Sequence, residues 1–570
     1  MHTPILGSAY VARSVNAANN RMVNLFPEIT PEAGKEAGFL SRAPGLRLLS
    51  TIGTGPIRGI NSYGGNMYVV SGSTLYKVDS TYTATTLGTV SGDVAPVSMA
   101  NNGNQLFVAC NGPSYVYNST TNAFAAITDV DFTGALTVSY LDGYFVYIQP
   151  NSQLVWVTAL LDPTSIDPLD FASAEGNPDN LISSVVNHSE VWLFGTNSIE
   201  VWYNAGSVDF PLQRIQGAFN ELGCAATFSV AKLDNSIFWL GADARGKGIV
   251  YKASGYIGAR VSTHAIEWQI QQYSRIDDAV AYSYQQDGHS FYVLTFPTAN
   301  ATWVYDAATQ AWHERAGWLN GSFLRHRSNC QTAFNGEVIV GDYQNGNIYA
   351  FDMNVFADHN RQQKWLRSWR ALPTGQNNLK RTAHHTLQLD CETGVGLVNE
   401  IAVDWEQVSI GILQAVVGFE PGTTIFNELF SGRKLGDVDN TGTVELIDSI
   451  IVLKYNANIS INAAELNYIE NTLQPILLGN TSKYSIYLTN AFQQGINPQI
   501  MLRWSDDGGH TWSREHWADV GLVGEYSQRV FWRRLGMTLK LRDRVYEISG
   551  TDPVRTYIMG AELLISPTNA

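Results

Sequence analysis

Seven times between residues 61 and 355 the chain repeats one small unit: an apolar run, a turn-rich break, and a second run carrying Tyr or Trp. The copies are "GNMYVVSGSTLYKVD", "GNQLFVACNGPSYVY", "DGYFVYIQPNSQLVWV", "HSEVWLFGTNSIEVWY", "DNSIFWLGADARGKGIVY", "DGHSFYVLTF" followed by "TWVYD", and "NGEVIVGDYQNGNIYAFD". Their first strands begin near Met67, Leu106, Tyr144, Val191, Ile237, Phe291 and Val338, at intervals of 39, 38, 47, 46, 54 and 47 residues. Propeller blades recur at about 40–50 residues. A single four-stranded blade cannot cover both of its faces, whereas blades arranged around an axis cover one another and leave only short edges. The spacing therefore predicts a mostly β chain with a β-propeller of six or seven blades. A sandwich of regular hairpins is the alternative.

Local chemistry supports the strand pairs. "VYNSTTNAF" at 116–124 and "VYDAATQAW" at 304–312 share an Asn or Asp able to close a turn through its side chain, then an aromatic opening the next strand. The 50 Gly and an aromatic content of 11% suit many short strands joined by tight turns.

Past the repeats the pattern changes. Residues 1–60 lead into the propeller and are a candidate to close it, and 61–355 form it. Segments 356–398 and 490–570 alternate without blade spacing and read as two parts of one C-terminal β-sandwich. Between them, 399–489 carries helical periodicity in "VELIDSIIVLKY" and "NAAELNYIENTLQPIL", so it reads as a small α-helical module inserted in a sandwich loop, where insertions cost little.

That module holds "GDVDNTGTVELID" at 436–448. Asp437, Asp439 and Thr441 occupy positions 1, 3 and 5 of a twelve-residue loop, with Gly442 at 6, the Thr443 carbonyl at 7, Glu445 at 9 and Asp448 at 12. Calcium takes six to eight oxygens, and Gly at position 6 permits the sharp turn that aims them inward. The loop resembles the first loop of dockerin modules, which also end in Asp; Thr at position 5 and the lack of a second complete loop depart from that pattern. One structural Ca2+ is the expected cofactor.

"SDDGGHTW" at 505–512 fits an Asp box, Ser-x-Asp-x-Gly-x-Thr-Trp, with Ser505, Asp507, Gly509, Thr511 and Trp512 in a structural turn. Sialidases carry several such boxes, which leaves an Asp-box hydrolase as one alternative and a calcium-dependent glycan or cell-surface binding propeller as another. The sequence contains no GxSxG, HExxH, Walker A or dinucleotide fingerprint, so no catalytic residue is expected. Cys110, Cys224, Cys330 and Cys391 are widely spaced and read as free thiols. The net charge of −15 argues against gripping nucleic acid but suits a passage through which DNA slides. Against that background stand two basic clusters interleaved with aromatics. One holds Arg361, Lys364, Arg367, Arg370, Lys380 and Arg381; the other holds Arg529, Arg533, Arg534, Lys540, Arg542 and Arg544. Arg and aromatics anchor protein interfaces, and Arg361, Arg367, Arg370, Arg529, Arg533 and Arg534 are the interface candidates.

The opening "NRMVNLFPEITPEAGKEAGFLSRAPGLRLL" and the closing "LRWSDDGGHTWSREHWADVG" and "RVFWRRLGMTLKLRDRVYEI" resemble the packaged-DNA stabilisation proteins of short-tailed bacteriophages, the tail hub or nozzle proteins. The resemblance spans 1–398 and 490–570. It implies a virion structural protein, not an enzyme, that forms a homohexameric ring below the portal and its adaptor. Such a ring extends the DNA channel, retains packaged DNA and anchors a tail needle, fibres or spikes. Without a signal peptide or an apolar run of membrane length, the chain is expected to be made in the host cytoplasm, to enter the virion tail and not to insert in a membrane.

Overall fold

The computed structural model describes residues 1–30, 34, 36–174, 176–207, 209–243, 246–372, 381–395, 401–403, 405–416, 438, 446–456, 461–474, 488–490, 497–538 and 544–567. They divide into two compact units, one comprising 1–393 with 499–520 and 527–570, the other 394–498 with 521–526.

In the first unit, antiparallel sheets follow one another along the chain at 57–89, 98–126, 138–173, 181–220, 223–260, 280–314 and 328–352. The innermost strand of the last, Ser328–Phe334, meets that of the first, Ile57–Tyr63. This is a seven-bladed propeller. The seventh blade supplies only three strands of its own, and its fourth place is taken by Gly45–Thr51, antiparallel to Asn347–Asp352. The ring is thus locked by a sheet containing both early and late segments.

The seven sequence markers fall in the second strand of each blade, such as Asn66–Ser71, Tyr144–Ile148 and His289–Phe296. Such a strand has a neighbour on either edge and a blade on either face, and all eight residues of His289–Phe296 are buried. Six of the seven turns into these strands place two residues at positive φ: Gly64–Gly65, Asp142–Gly143, His188–Ser189, Asp234–Asn235, Asp287–Gly288 and Asn335–Gly336. Two-residue turns of this hand match the twist of paired strands. The paired motifs at 116–124 and 304–312 are Asx turns: Asn118 Oδ1 accepts the Thr120 amide at 3.0 Å, and Asp306 Oδ1 the Ala308 amide at 3.0 Å.

Two further sheets make the sandwich. One runs Leu25–Ile29, Gly38–Arg42, Tyr557–Pro567, Thr382–Cys391, Val530–Met537; the other runs Met22–Val23, Trp365–Arg370, Val545–Gly550, Gln499–Ser505, His516–Asp519. Leu387, Leu389 and Leu563 of the first share a core with Leu502, Tyr546 and Ile548 of the second. Residues 1–60 therefore divide between the two domains: Gly45–Thr51 closes the ring and Ile57–Tyr63 opens the first blade, while Met22–Val23, Leu25–Ile29 and Gly38–Arg42 build sandwich. Met22–Val23 also lies parallel to Ala311–Glu314, the outer strand of the sixth blade, so that blade and one sandwich sheet form a single nine-stranded sheet.

The second unit contains helices Trp405–Val416, Leu446–Asn456 and Ala463–Tyr468, a π-helical turn Ile469–Leu473, and the paired strands Ile401–Val403 and Leu488–Asn490. Asn462 and Glu465 form a reciprocal capping box at the start of Ala463–Tyr468. Helix Trp405–Val416 lies within the segment read as an α-helical module but outside its two periodic stretches, "VELIDSIIVLKY" and "NAAELNYIENTLQPIL". It packs on Leu446–Asn456, with Ser409 Oγ 2.7 Å from Ser449 Oγ.

Candidate functional site

Three sets of side chains carry the chemistry suggested by the sequence. Of the calcium-loop ligands, Asp437, Asp439, Thr441, Thr443 and Glu445 lie outside the described residues. Asp448 is fully buried in the first turn of Leu446–Asn456, and its Oδ1 accepts the Val438 amide at 2.6 Å. The last loop residue thereby ties back to the second.

The Asp box is a compact turn. Ser505 Oγ donates to Asp507 Oδ1 at 2.6 Å and accepts the Gly509 amide at 2.7 Å. Asp507 also accepts the His510 amide at 2.9 Å, the Thr511 amide at 2.8 Å and the Thr511 hydroxyl at 2.6 Å. Hydrogen bonds from Ser505 and Thr511 hold its carboxyl below the usual carboxylate range. Gly509 takes φ +110°, and half-buried Trp512 lies under the Arg503 guanidinium, 4.8 Å from its ring centre.

The interface candidates separate. Arg367 is 1% exposed, its Nε donates to the Ile5 carbonyl at 2.7 Å, and burial lowers its pKa to about 10. It faces the interior, so the sequence expectation that it is a surface contact is corrected. Arg361 and Arg370 are half-buried, Arg361 reaching Gln344 Oε1 at 3.3 Å. Arg529, Arg533 and Arg534 are exposed at the edge strand Val530–Met537, Arg533 lying 4.4 Å from the Phe531 ring centre. Arg534 has φ 59° where the register with Thr382–Cys391 slips by one residue. A bulge with charged side chains protects a sheet edge from adventitious pairing, and it also presents three cations outward. Lys380, Lys540 and Arg542 lie outside the described residues, and Arg544 is buried, pairing with Asp506 at 2.7 Å.

Sequence reasoning missed the residues that join propeller to sandwich. Arg42, 1% exposed, donates to the carbonyls of Phe356 at 2.9 Å, Gln363 at 2.6 Å, Asp552 at 2.5 Å and Val554 at 3.0 Å, and to Gln363 Oε1 at 3.2 Å. Asn24 bridges the carbonyls of Ala316 and Lys364 at 2.7 and 2.8 Å. Arg21 forms a bidentate pair with Glu314 at 2.9 and 2.8 Å. No local pattern marks these residues, because their partners lie about 300 to 500 positions away.

The propeller axis encloses about 240 Å³, lined by neutral groups including Ser98, Thr137, Ser184, Thr227 and Gln331 together with Arg58. Arg58 is occupied by the carbonyls of Gly72, Ser91 and Ala95 and by Asp93. Among the described residues no three His, Cys, Asp or Glu side chains are grouped to hold a metal, and no helix is long and apolar enough to cross a membrane.

A family model described as bacteriophage P22 Gp10, beta-propeller, matches residues 1–356. The chain belongs to the bacteriophage P22 Gp10 family. A second model, the Gp10 beta-sandwich, matches 482–566, so both parts of the larger unit are Gp10-like. A Gp10 chain is a structural protein of the phage tail, of the packaged-DNA stabilisation kind, and associates with other virion components. No curated protein matches the chain. Among solved structures, one of the mitotic checkpoint complex is 12% identical, covering 57% of this chain and 97% of that one, with a TM-score of 0.36. BamB from Moraxella catarrhalis is 10% identical, covering 59% and 98%, with a TM-score of 0.35. Likeness at this level carries no argument.

Proposed function

We propose that this Gp10-family chain is the ring-forming hub, or nozzle, of the tail: six copies below the portal and its adaptor, extending the DNA channel, retaining the packaged genome and anchoring a needle, fibres or spikes. The observation that carries the reading is the fusion of propeller and sandwich through the strand Met22–Val23, in a chain whose two parts both match Gp10 models. A ring under internal pressure needs subunits that do not hinge between domains, and one continuous sheet resists hinging. Head-to-tail contacts between different patches of identical subunits close into rings when the rotation allows.

In this reading Arg529, Arg533 and Arg534 dock against the adaptor ring. The inserted unit, most of which falls between the two family matches, reinforces contact with a neighbouring subunit or an attached tail component, its loop held by one Ca2+. Light scattering of the purified chain, alone and with the adaptor ring, tests the assembly. A six-fold species on the adaptor is expected, and the double variant Arg533→Ala/Arg534→Ala should weaken it. A chain that stays monomeric with the adaptor and turns over a fluorogenic sialoside would overturn the reading.

A further inference from the structure

Between Lys77 and Arg214 the chain contains no Lys or Arg, yet thirteen Asp and Glu residues fall in that stretch. It spans the whole of blades two and three, blade four as far as the start of its outer strand Leu212–Asn220, and the outermost strand of blade one, Ala84–Thr89. It accounts for thirteen of the fifteen net negative charges. The sandwich segments 356–393, 499–520 and 527–570 have the opposite balance, with fifteen Lys and Arg against eleven Asp and Glu. Among the described residues, the ion pairs that Lys or Arg makes with this sector are Arg58 with Asp93 and Arg214 with Glu200. Asp142, Asp162, Asp167 and Asp209 are exposed.

We infer that the sector formed by blades two to four faces the DNA in the assembled tail, as a surface selected not to bind it; this rests on the ring reading above. An interface with a protein tolerates scattered cations, since a Lys or Arg there can meet a carboxylate or a carbonyl. A surface along which a polyanion must slide does not. Every Lys or Arg on it becomes a phosphate contact that releases counterions and holds the strand. Two whole blades and most of a third without one Lys or Arg, bounded on the outer strand of blade four by an Arg214 that is paired with Glu200, fit that demand. The propeller's own axis offers no alternative route, because about 240 Å³ accommodates a few waters or a small molecule and no duplex. DNA must therefore pass along the outside of the blades, and charge there acts only within about 8 Å at physiological salt.

The test uses phage particles completed with the full-length chain. One variant carries Asp162→Lys, Asp167→Lys and Asp209→Lys; a second carries Asn at the same positions; a control carries Gln271→Lys, Gln272→Lys and Asp287→Lys, exposed positions outside the sector. Genome release is followed with an intercalating dye. The lysine variant should slow release about tenfold at low salt, with the delay relieved as salt rises. The asparagine variant and the control should release at the parental rate. Complete particles with unchanged release in the sector variant would overturn the inference and leave the ring standing. Loss of incorporation specific to the sector's lysine variant would make the sector a subunit contact, which also overturns it. Absence of the parental chain from particles would instead sink the hub reading itself.

Discussion

Replacing Arg42 with Met should uncouple the two halves of the larger unit. The change keeps most of the stem and removes a guanidinium that serves four backbone carbonyls, from the propeller exit at Phe356, the link at Gln363 and the C-terminal sandwich at Asp552 and Val554. A buried acceptor left unsatisfied costs about 1–3 kcal/mol. With water recovering part of the loss, four acceptors give about 4 kcal/mol. The unit holds roughly 460 residues, and at about 2.1 cal/mol/K per residue its unfolding entropy is about 1 kcal/mol/K, so the melting temperature should fall by about 4 °C. Differential scanning calorimetry should show the single transition broadening or splitting as sandwich and propeller melt apart, and protease should cut first near 356–363. Arg42→Lys should behave like Met, since an ammonium cannot span the four acceptors. A shift below about 1 °C with one sharp transition would refute the clamp.

Acid should destabilise the fold. Burial holds His326 and His384 neutral, at about 3, and lowers His313 as well. The unfolded chain protonates these rings near pH 6.5, so it binds more protons between those values and stability falls as pH drops. Asp358, raised to about 7 by burial, opposes this by holding its proton in the fold between about pH 4 and 7. Burial lowers His359 too, while the hydrogen bond to Asp306 raises His289, which acts with Asp358. With four lowered rings against these two groups, the melting temperature should decline from pH 7 to 5, and less steeply in His326→Asn. Asp507→Ala removes the acceptor at the centre of the Asp box and should cost about 1–2 kcal/mol, read as faster proteolytic nicking at 506–512 with the rest of the fold intact. If the loop 437–448 holds calcium at about a hundred times its dissociation constant, chelation should remove about 2.7 kcal/mol from the inserted unit. Calorimetric titration showing no calcium binding would dismiss the ion.

The propeller was legible because the second strand of each blade is largely buried on both faces and carries an apolar run: "MYVV", "FVYI" and "FYVL" stand out without any alignment. Outer strands such as Ala84–Thr89, largely exposed, give no such signal. The division of residues 1–60 was hidden because Met22–Val23 is two residues long, and no periodicity exists at that length. The sequence "KWLRSWR" places Arg367 among aromatics and invites an interface. Yet Trp365–Arg370 is covered on both faces, and the carbonyl that satisfies Arg367 belongs to Ile5, which no local pattern can reveal. The hydrogen bonds of Asp507 follow a local pattern, because their partners lie between Ser505 and Thr511, whereas Asn19, which donates to the Gly508 carbonyl at 3.2 Å, leaves no mark in it.

The closing strand has a consequence for synthesis. Gly45–Thr51 pairs with Asn347–Asp352, so during translation the early segment waits unpaired while six blades emerge. Until some three hundred more residues are made, the nascent wheel has two raw edges able to template a neighbour's chain on the same message. Its yield in the cell should therefore depend on elongation speed and holdase supply more than on the equilibrium stability of the finished subunit.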